Sequence, residues 1–293
     1  MYYFFKKNSL FLFVLMTINM HSNHNQNVTN IKALLIHPIK TGADNYQKYL
    51  PLLKDKKVGI VTNQTGILSD NTHLVDFLLE KKIAIQTIFA PEHGFRGTAD
   101  AGEHVVDGKD PKTGLSIISL YGDNKKPKPA QLANLDVVVF DLQDVGARFY
   151  TYISSLHYVM EACAENGIPL IILDRPNPNG SIVDGPLLEK EFTSFVGMHP
   201  IPLLHGMTIG EYGKMINGQK WLKNAAQCKL TVIPCVDYNR KMNYSLLVKP
   251  SPNLPNDQSI NLYASLCLFE GTTVSVGRGT EKQFQIDGSP FLN

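Results

Sequence analysis

The chain is predicted to adopt an α/β fold, a parallel sheet covered by helices on both sides. Three observations carry the prediction. Strand-like and helix-like segments alternate from residue 57 to residue 173. The strand-like segments are apolar along their whole length rather than at every second residue, which is the mark of strands buried on both faces. The intervening helical segments present broad apolar faces, as covering helices must.

The elements follow in order. Lys57-Val-Gly-Ile-Val-Thr62 reads as a buried strand. Asn71 to Lys82 reads as a helix, with Leu74, Val75, Phe77, Leu78 and Leu79 on its apolar face. Ile83 to Phe89 is the second strand, Leu115 to Leu120 the third, and Leu135-Asp-Val-Val-Val-Phe140 the fourth. Thr151 to Asn166 reads as a helix, because Ile153, Leu156, Val159, Met160 and Cys163 recur at helical spacing and Gly167 stops it. Ile168-Pro-Leu-Ile-Ile-Leu173 is the fifth strand. Beyond about residue 180 the alternation weakens. Thr208 to Gly218 reads as a short helix, and Lys229 to Pro234 as a strand. Pro250-Ser-Pro-Asn-Leu-Pro255 is rigid, and reads equally as a linker or as a pocket wall.

Composition narrows the classes of partner. A net charge of +2 with scattered basic residues gives no footprint for nucleic acid. The densest basic cluster, Lys125-Lys126-Pro127-Lys128, reads as a solvated loop. Lys6 and Lys7 precede the apolar run Leu10–Met16, and a polar stretch from His21 to Asn30 follows. This is the pattern of an export signal over residues 1–30, too short for a stable membrane span. The expected location is therefore periplasmic or extracellular, with no stable membrane span after signal cleavage. The four cysteines, at 163, 228, 235 and 267, form no C-x-x-C pair and fit neither a zinc site nor a disulfide scaffold. Cys163 and Cys267 lie in apolar surroundings and are expected in the core, and no bridge is expected between Cys228 and Cys235.

In an open parallel sheet, ligands bind beyond the carboxyl ends of the strands. Asn63, Gln64 and Thr65 follow the first strand, and Glu92, His93 and Arg96 the second. Asp141, Gln143, Asp144 and Arg148 follow the fourth, and Asp174, Arg175 and Asn177 the fifth. Four strand ends thus converge on one edge. No G-x-S-x-G, P-loop or G-x-G-x-x-G motif accompanies them, which disfavours dinucleotide binding. Carboxylates mixed with arginines, amides and tyrosines suit a hydroxyl-rich ligand such as a sugar. Acetal cleavage needs a proton donor at the leaving oxygen and a group that stabilises the oxocarbenium-like transition state.

Glu92 is the leading acid candidate, since desolvation between strand ends raises a carboxyl pKa. Capping a turn or pairing with Arg96 is the structural alternative. Asp141 and Asp144 are the next carboxylates, and Asp141 reads first as a supporting partner of Arg148. Asp174 beside Arg175 reads also as a local salt bridge. His93 lacks the partners of a metal motif and is expected to contact ligand or to be structural. Of Tyr150 and Tyr152, placed at the opening of a helix, at most one is expected to face a pocket. Glu270, Thr272, Arg278 and Thr280 are spaced across glycines in LFEGTT and VGRGT; an arginine in such a turn suits a carboxylate, and a tight structural turn is the alternative.

The segments FAPEHGFRG, SLYG, FDLQDVGARFYTY, LDRPNPNG, DGP, LCLFEGT and SVGRGTEK, in this order, resemble the NamZ (YbbC-like) exo-β-N-acetylmuramidases, glycoside hydrolase family 171. The resemblance runs from about residue 33 to the end. It implies a Rossmann-like catalytic domain over residues 31–200. A smaller C-terminal α+β domain would begin at 201 and be cut short at 293, since family members run longer. Ala90, Thr273 and Gln283 depart from the expected glycine, asparagine and proline. The implied activity is exo-acting release of N-acetylmuramic acid from the non-reducing end of peptidoglycan fragments, with muropeptides or disaccharides as substrates and no cofactor or metal. Glu92, in the P-E-H-G motif, is the implied catalytic residue, with Asp141, Asp144 or the substrate's acetamido oxygen as the second group. The sugar's lactyl carboxylate would engage Arg278, with Arg96 and Arg148 next. A non-catalytic muropeptide-binding protein is the alternative from another class, and a metal-dependent hydrolase using His93 and Asp141 is a second.

Overall fold

The computed structural model describes residues 39–96 and 107–291. The expected export signal lies outside the described residues. The strands are β1 Lys57–Thr62, β2 Ala84–Ala90, β3 Gly108–Lys109, β4 Ser116–Ser119, β5 Val137–Asp141, β6 Leu170–Leu173, β7 Val183–Asp184, β8 Leu204–His205 and β9 Leu230–Ile233. The α-helices are α1 Tyr46–Leu53, α2 Leu74–Glu80, α3 Pro129–Leu132, α4 Tyr152–Glu165, α5 Ile209–Gly218 and α6 Asp257–Leu266.

Seven strands form one sheet in the order β3-β4-β2-β1-β5-β6-β9. Every pairing is parallel except that of the edge strand β3 with β4. From β1 the chain builds outward through β2 and β4, then returns to the other side of β1 and builds through β5, β6 and β9. The switch therefore falls between β1 and β5, where Thr62 is in register with Asp141. Open α/β sheets place ligands beside such a switch point. A separate two-stranded ribbon joins β7 and β8. The main sheet draws on both sides of residue 200, since β9 pairs with β6.

Side chains alternate across the sheet and sort the core into two layers. Val58, Ile60, Val137, Val139, Ile171 and Leu173 pack with Tyr49 and Leu53 of α1 and Leu74, Val75 and Leu78 of α2. Val61, Val138, Phe140, Leu170 and Ile172 pack with Ile153, Leu156 and Met160 of α4 and Ile209, Tyr212 and Ile216 of α5. Both faces of the strands are thereby dry, as their uninterrupted apolar sequences require.

Local departures from the sequence reading have local causes. The helix expected from Asn71 begins at Leu74, because Asn71 takes a left-handed φ of 67° and Ile67 bridges to His73. The His73 ring then caps the helix, with Nδ1 accepting from the Val75 N–H at 3.2 Å. Lys126 is not a solvated loop residue: its ammonium pairs with Glu161 and Glu165 of α4, each at 2.7 Å. Cys163 is fully buried as expected, whereas Cys267 is only half-buried. No helix among the described residues is long and apolar enough to cross a membrane.

Candidate active site

The chain leaves β2 at Ala90, passes Pro91, and turns sharply. His93 and Gly94 are consecutive left-handed residues with φ of 71° and 72°. A left-handed non-glycine residue is uncommon and marks a turn whose geometry is imposed by its surroundings. The Gly94 N–H closes the turn on the Pro91 carbonyl at 3.0 Å. Glu92 is thereby held beside the start of α4. The Thr151 hydroxyl donates to Glu92 Oε2 at 3.2 Å, and the Tyr152 hydroxyl reaches the Glu92 carbonyl at 3.4 Å. Tyr121, just beyond β4, is a further partner: its phenol is pushed up, first by burial and then by the charge and hydrogen bond of Glu92.

Glu92 and His93 open onto a cavity of about 160 Å³. Phe149, Tyr150, Thr151 and Tyr152 form one side of it. Ser251, Asn253 and Leu254, from the Pro-rich 250–255 segment, form another. Tyr263 of α6, Phe284, Val196, Glu270 and Arg278 complete it. Leu254 and Phe284 are almost wholly buried at its floor, whereas Glu270 and Arg278 are at its exposed rim. Arg278 and Glu270 pair with each other, the guanidinium lies 5.9 Å from the Phe284 ring centre, and Cys267 Sγ donates to Glu270 Oε2 at 3.1 Å. Aromatic faces, two acids and a guanidinium around one concavity suit a sugar that carries a negative charge.

Both tyrosines face this cavity, not one. Tyr150 precedes α4, so the pair does not follow helical spacing, and the rings meet edge to face at 4.8 Å. The Tyr150 hydroxyl donates to the Pro250 carbonyl at 2.7 Å, and the Tyr152 hydroxyl approaches the same carbonyl at 3.4 Å. Asn63 Nδ2 donates to the Tyr152 hydroxyl at 2.7 Å, while Gln64 Nε2 reaches the Lys249 and Pro250 carbonyls at 3.1 and 3.4 Å. Burial is the first cause that pushes both phenols well above their ordinary range, so they stay protonated and able to donate.

The other residues expected at the site are engaged elsewhere. Asp141 is fully buried, and its two oxygens take Arg175 Nε and Nη2 at 2.6 and 2.9 Å. Its partner is thus Arg175 and not Arg148. Asp144, also buried, accepts the Gly146 N–H at 2.7 Å through Oδ2 and faces His205 Nε2 at 3.5 Å. Gln143 donates to the carbonyls of Asp144 and Pro176 at 2.8 and 2.7 Å. Asn177 Nδ2 donates to the Met207 carbonyl at 2.9 Å, and its Oδ1 accepts the Asn179 N–H at 2.8 Å. Asp174 sits at the start of α5, where Thr208 and Gly210 each donate to it at 2.8 Å, and lines a different groove. Its carboxyl is pushed up to about 6, chiefly by burial.

The arginines separate in the same way. Arg96 does not pair with Glu92: it binds Asp110 through two nitrogens, with contacts of 2.8 to 3.1 Å, and does not line the cavity. Arg148 Nη1 donates to the carbonyls of Pro186 and Ile201 at 2.7 and 2.6 Å. Thr272 turns back onto the Phe269 carbonyl at 2.7 Å. Of the residues singled out in the sequence, the cavity gathers Glu92, His93, Tyr150, Tyr152, Glu270 and Arg278. Asn63, Gln64, Arg96, Asp141, Gln143, Asp144, Arg148, Asp174, Asn177 and Thr272 are outside its lining. Ser251 and Asn253 had a signal only in the rigidity of the proline-rich run. Tyr263 had none, because its helix carries no strong apolar stripe. Among the described residues no cluster of three or more His, Cys, Asp or Glu side chains is arranged to hold a metal ion.

Comparison with known proteins places this geometry. The family model for the N-terminal part of exo-beta-N-acetylmuramidase NamZ matches residues 58–258, and that for the C-terminal part matches residues 261–293. The chain is 46% identical over 261 residues to the peptidoglycan beta-N-acetylmuramidase NamZ of Bacillus subtilis (strain 168), a match covering 87% of this chain and 62% of that protein. It thus spans less than two thirds of the curated relative's length. Two solved DUF1343 family proteins of Bacteroides fragilis NCTC 9343 share the fold. One superposes with a TM-score of 0.80 at 47% identity and the other with 0.79 at 34% identity. Each match covers 87% of this chain, and 68% and 66% of the respective neighbour. With most of its length matched by the family's models and this fold shared with the DUF1343 structures, the chain belongs to the exo-beta-N-acetylmuramidase NamZ family.

Proposed function

We propose that this chain is an exo-acting glycoside hydrolase that releases N-acetylmuramic acid from the non-reducing end of peptidoglycan fragments, with Glu92 as the catalytic acid. The observation that carries the reading is the position of Glu92. It lies beyond the end of a parallel strand, opens onto an aromatic-walled cavity, and has the Thr151 hydroxyl and the Tyr121 phenol on its carboxylate. A fixed carboxyl group beside a sugar-sized aromatic surface is suited to protonating a departing glycosidic oxygen. Arg278 at the rim would receive the lactyl carboxylate that distinguishes N-acetylmuramic acid from other N-acetylhexosamines. The substrate lies outside the cytoplasmic membrane, and an exported location, expected from residues 1–30, is part of the same proposal.

The test is turnover of an aryl β-N-acetylmuramide, and of a disaccharide with a non-reducing N-acetylmuramic acid, by the chain and by Glu92→Gln. The reading expects release of N-acetylmuramic acid by the chain and loss of at least a hundredfold in the variant on the disaccharide. Tight binding of the disaccharide without turnover would replace the hydrolase by a muropeptide-binding protein.

A further inference from the structure

Hydrolysis of a glycoside by two carboxyl groups needs a second acid besides the proton donor. The acids that the sequence offered for this part are placed elsewhere. Asp141 has both oxygens bound by Arg175, and Asp144 is turned to the Gly146 N–H and His205. Neither lines the cavity. Two carboxylates do, among the described residues: Glu92 and Glu270. They stand in contrasting surroundings. Glu92 is half-buried and held by the Thr151 hydroxyl and the Tyr121 phenol. Glu270 is at the solvent-facing rim, with Arg278 paired to Oε1 and the Cys267 thiol on Oε2. Both bear on Tyr263, which lines the same cavity and whose phenol is raised by burial first, then by Cys267, Glu270 and Glu92. A carboxylate that is ion-paired and within reach of water is suited to accept a proton from that water.

We infer that Glu270 is the second catalytic carboxylate, acting as the base on the attacking water; this rests on the hydrolase reading of the same cavity. Glu92 gives its proton to the glycosidic oxygen as the bond from that oxygen to C1 breaks, so the aglycone leaves as a neutral alcohol. The water oxygen forms the new bond to C1 from the opposite face. One of its protons passes to Glu270. Glu92 ends as the carboxylate and Glu270 as the acid, and exchange with solvent resets both. The sugar is released with its anomeric configuration inverted.

Leaving-group dependence separates the two roles. An aryl glycoside with an acidic phenol needs little protonation, so Glu92→Gln retains most of its turnover there. Glu270→Ala and Glu270→Gln lose at least a hundredfold on both that substrate and the disaccharide. Azide restores Glu270→Ala by adding to C1, giving the glycosyl azide. Proton NMR of the unmodified chain's reaction shows the α-anomer of N-acetylmuramic acid first. Circular dichroism confirms that the variants are folded, and Glu270 lies in the short 3-10 helix Cys267–Gly271, which has no buried residue and where Gln preserves shape. Turnover in folded Glu270→Gln within threefold of the unmodified chain would overturn the assignment, as would no azide product from Glu270→Ala, or a first-formed β-anomer. An unmodified chain that turns over neither substrate would instead overturn the hydrolase reading itself.

Discussion

Asp141→Ala is expected to destabilise the protein severely, although Asp141 follows the strand end where a catalytic acid was expected. Asp141 is fully buried and the Arg175 side chain is 4% exposed. The two share a bidentate contact at 2.6 and 2.9 Å, and the Arg175 side chain has, among the described residues, one other bond, from Nη2 to the Ile67 carbonyl at 2.9 Å. Removing the acid leaves a guanidinium in a dry interior with most of its donors unmet. Breaking one side of such a pair costs about 3–5 kcal/mol. At about 2–4 °C per kcal/mol for a domain of this size, the melting temperature should fall by roughly 6–20 °C. Thermal denaturation followed by circular dichroism at pH 7 reads the shift. Joint replacement of both partners by apolar residues, Asp141→Leu with Arg175→Met, should recover most of it, because the penalty lies in the orphaned charge rather than in a lost net attraction. A folded Asp141→Ala protein with unchanged melting temperature and abolished turnover would refute the reasoning and return Asp141 to the chemistry.

Two further expectations follow from the same placement of charges. Burial, and then His157, lowers His199 from its usual value to about 3, and His199 lies between the Tyr212 hydroxyl at 2.7 Å and the His157 ring at 3.0 Å. The unfolded chain therefore takes up a proton near pH 6.5 that the folded chain refuses until about pH 3. Stability from this group is intact above pH 6.5 and is lost progressively on acidification toward pH 3. His199→Gln should flatten that acid limb in urea titrations taken at successive pH values, and an unchanged limb would refute it. Arg96→Ala should lower stability by about 1–3 kcal/mol, because the buried Asp110 loses its charged partner. Its KM for the disaccharide should stay within threefold of the unmodified chain, whereas a tenfold rise would make Arg96 a substrate contact.

The sheet was legible because its strands carry apolar residues on both faces, a pattern few other structures need. Lys57–Thr62 was read to the residue. The α1 segment YQKYLPLL was not read, since Pro51 within it speaks against a helix. The α6 segment DQSINLYASL was missed because few of its side chains are buried, so no strong stripe exists to detect. At the site, scanning strand ends found Glu92 and His93 but could not separate depth from proximity. Asp141 is the last residue of β5, still inside the sheet, and Arg175 reaches it from the end of the neighbouring strand β6. Period and spacing do not reveal that a carboxylate is sealed in the sheet rather than open to a cavity. Glu270 and Arg278 were found from their glycines, although nothing in the spacing said that they close on Glu92 and the tyrosines.

One backbone oxygen, that of Pro250, gathers the Tyr150 and Tyr152 phenols and the Gln64 amide. It fastens the 250–255 wall to the turn that carries the acid. Because the fastening point is a carbonyl, exchange of the residue at 250 leaves the tie itself in place. Drift in the wall's outline is then tolerated at its side chains, while the two phenols hold its distance from Glu92 fixed.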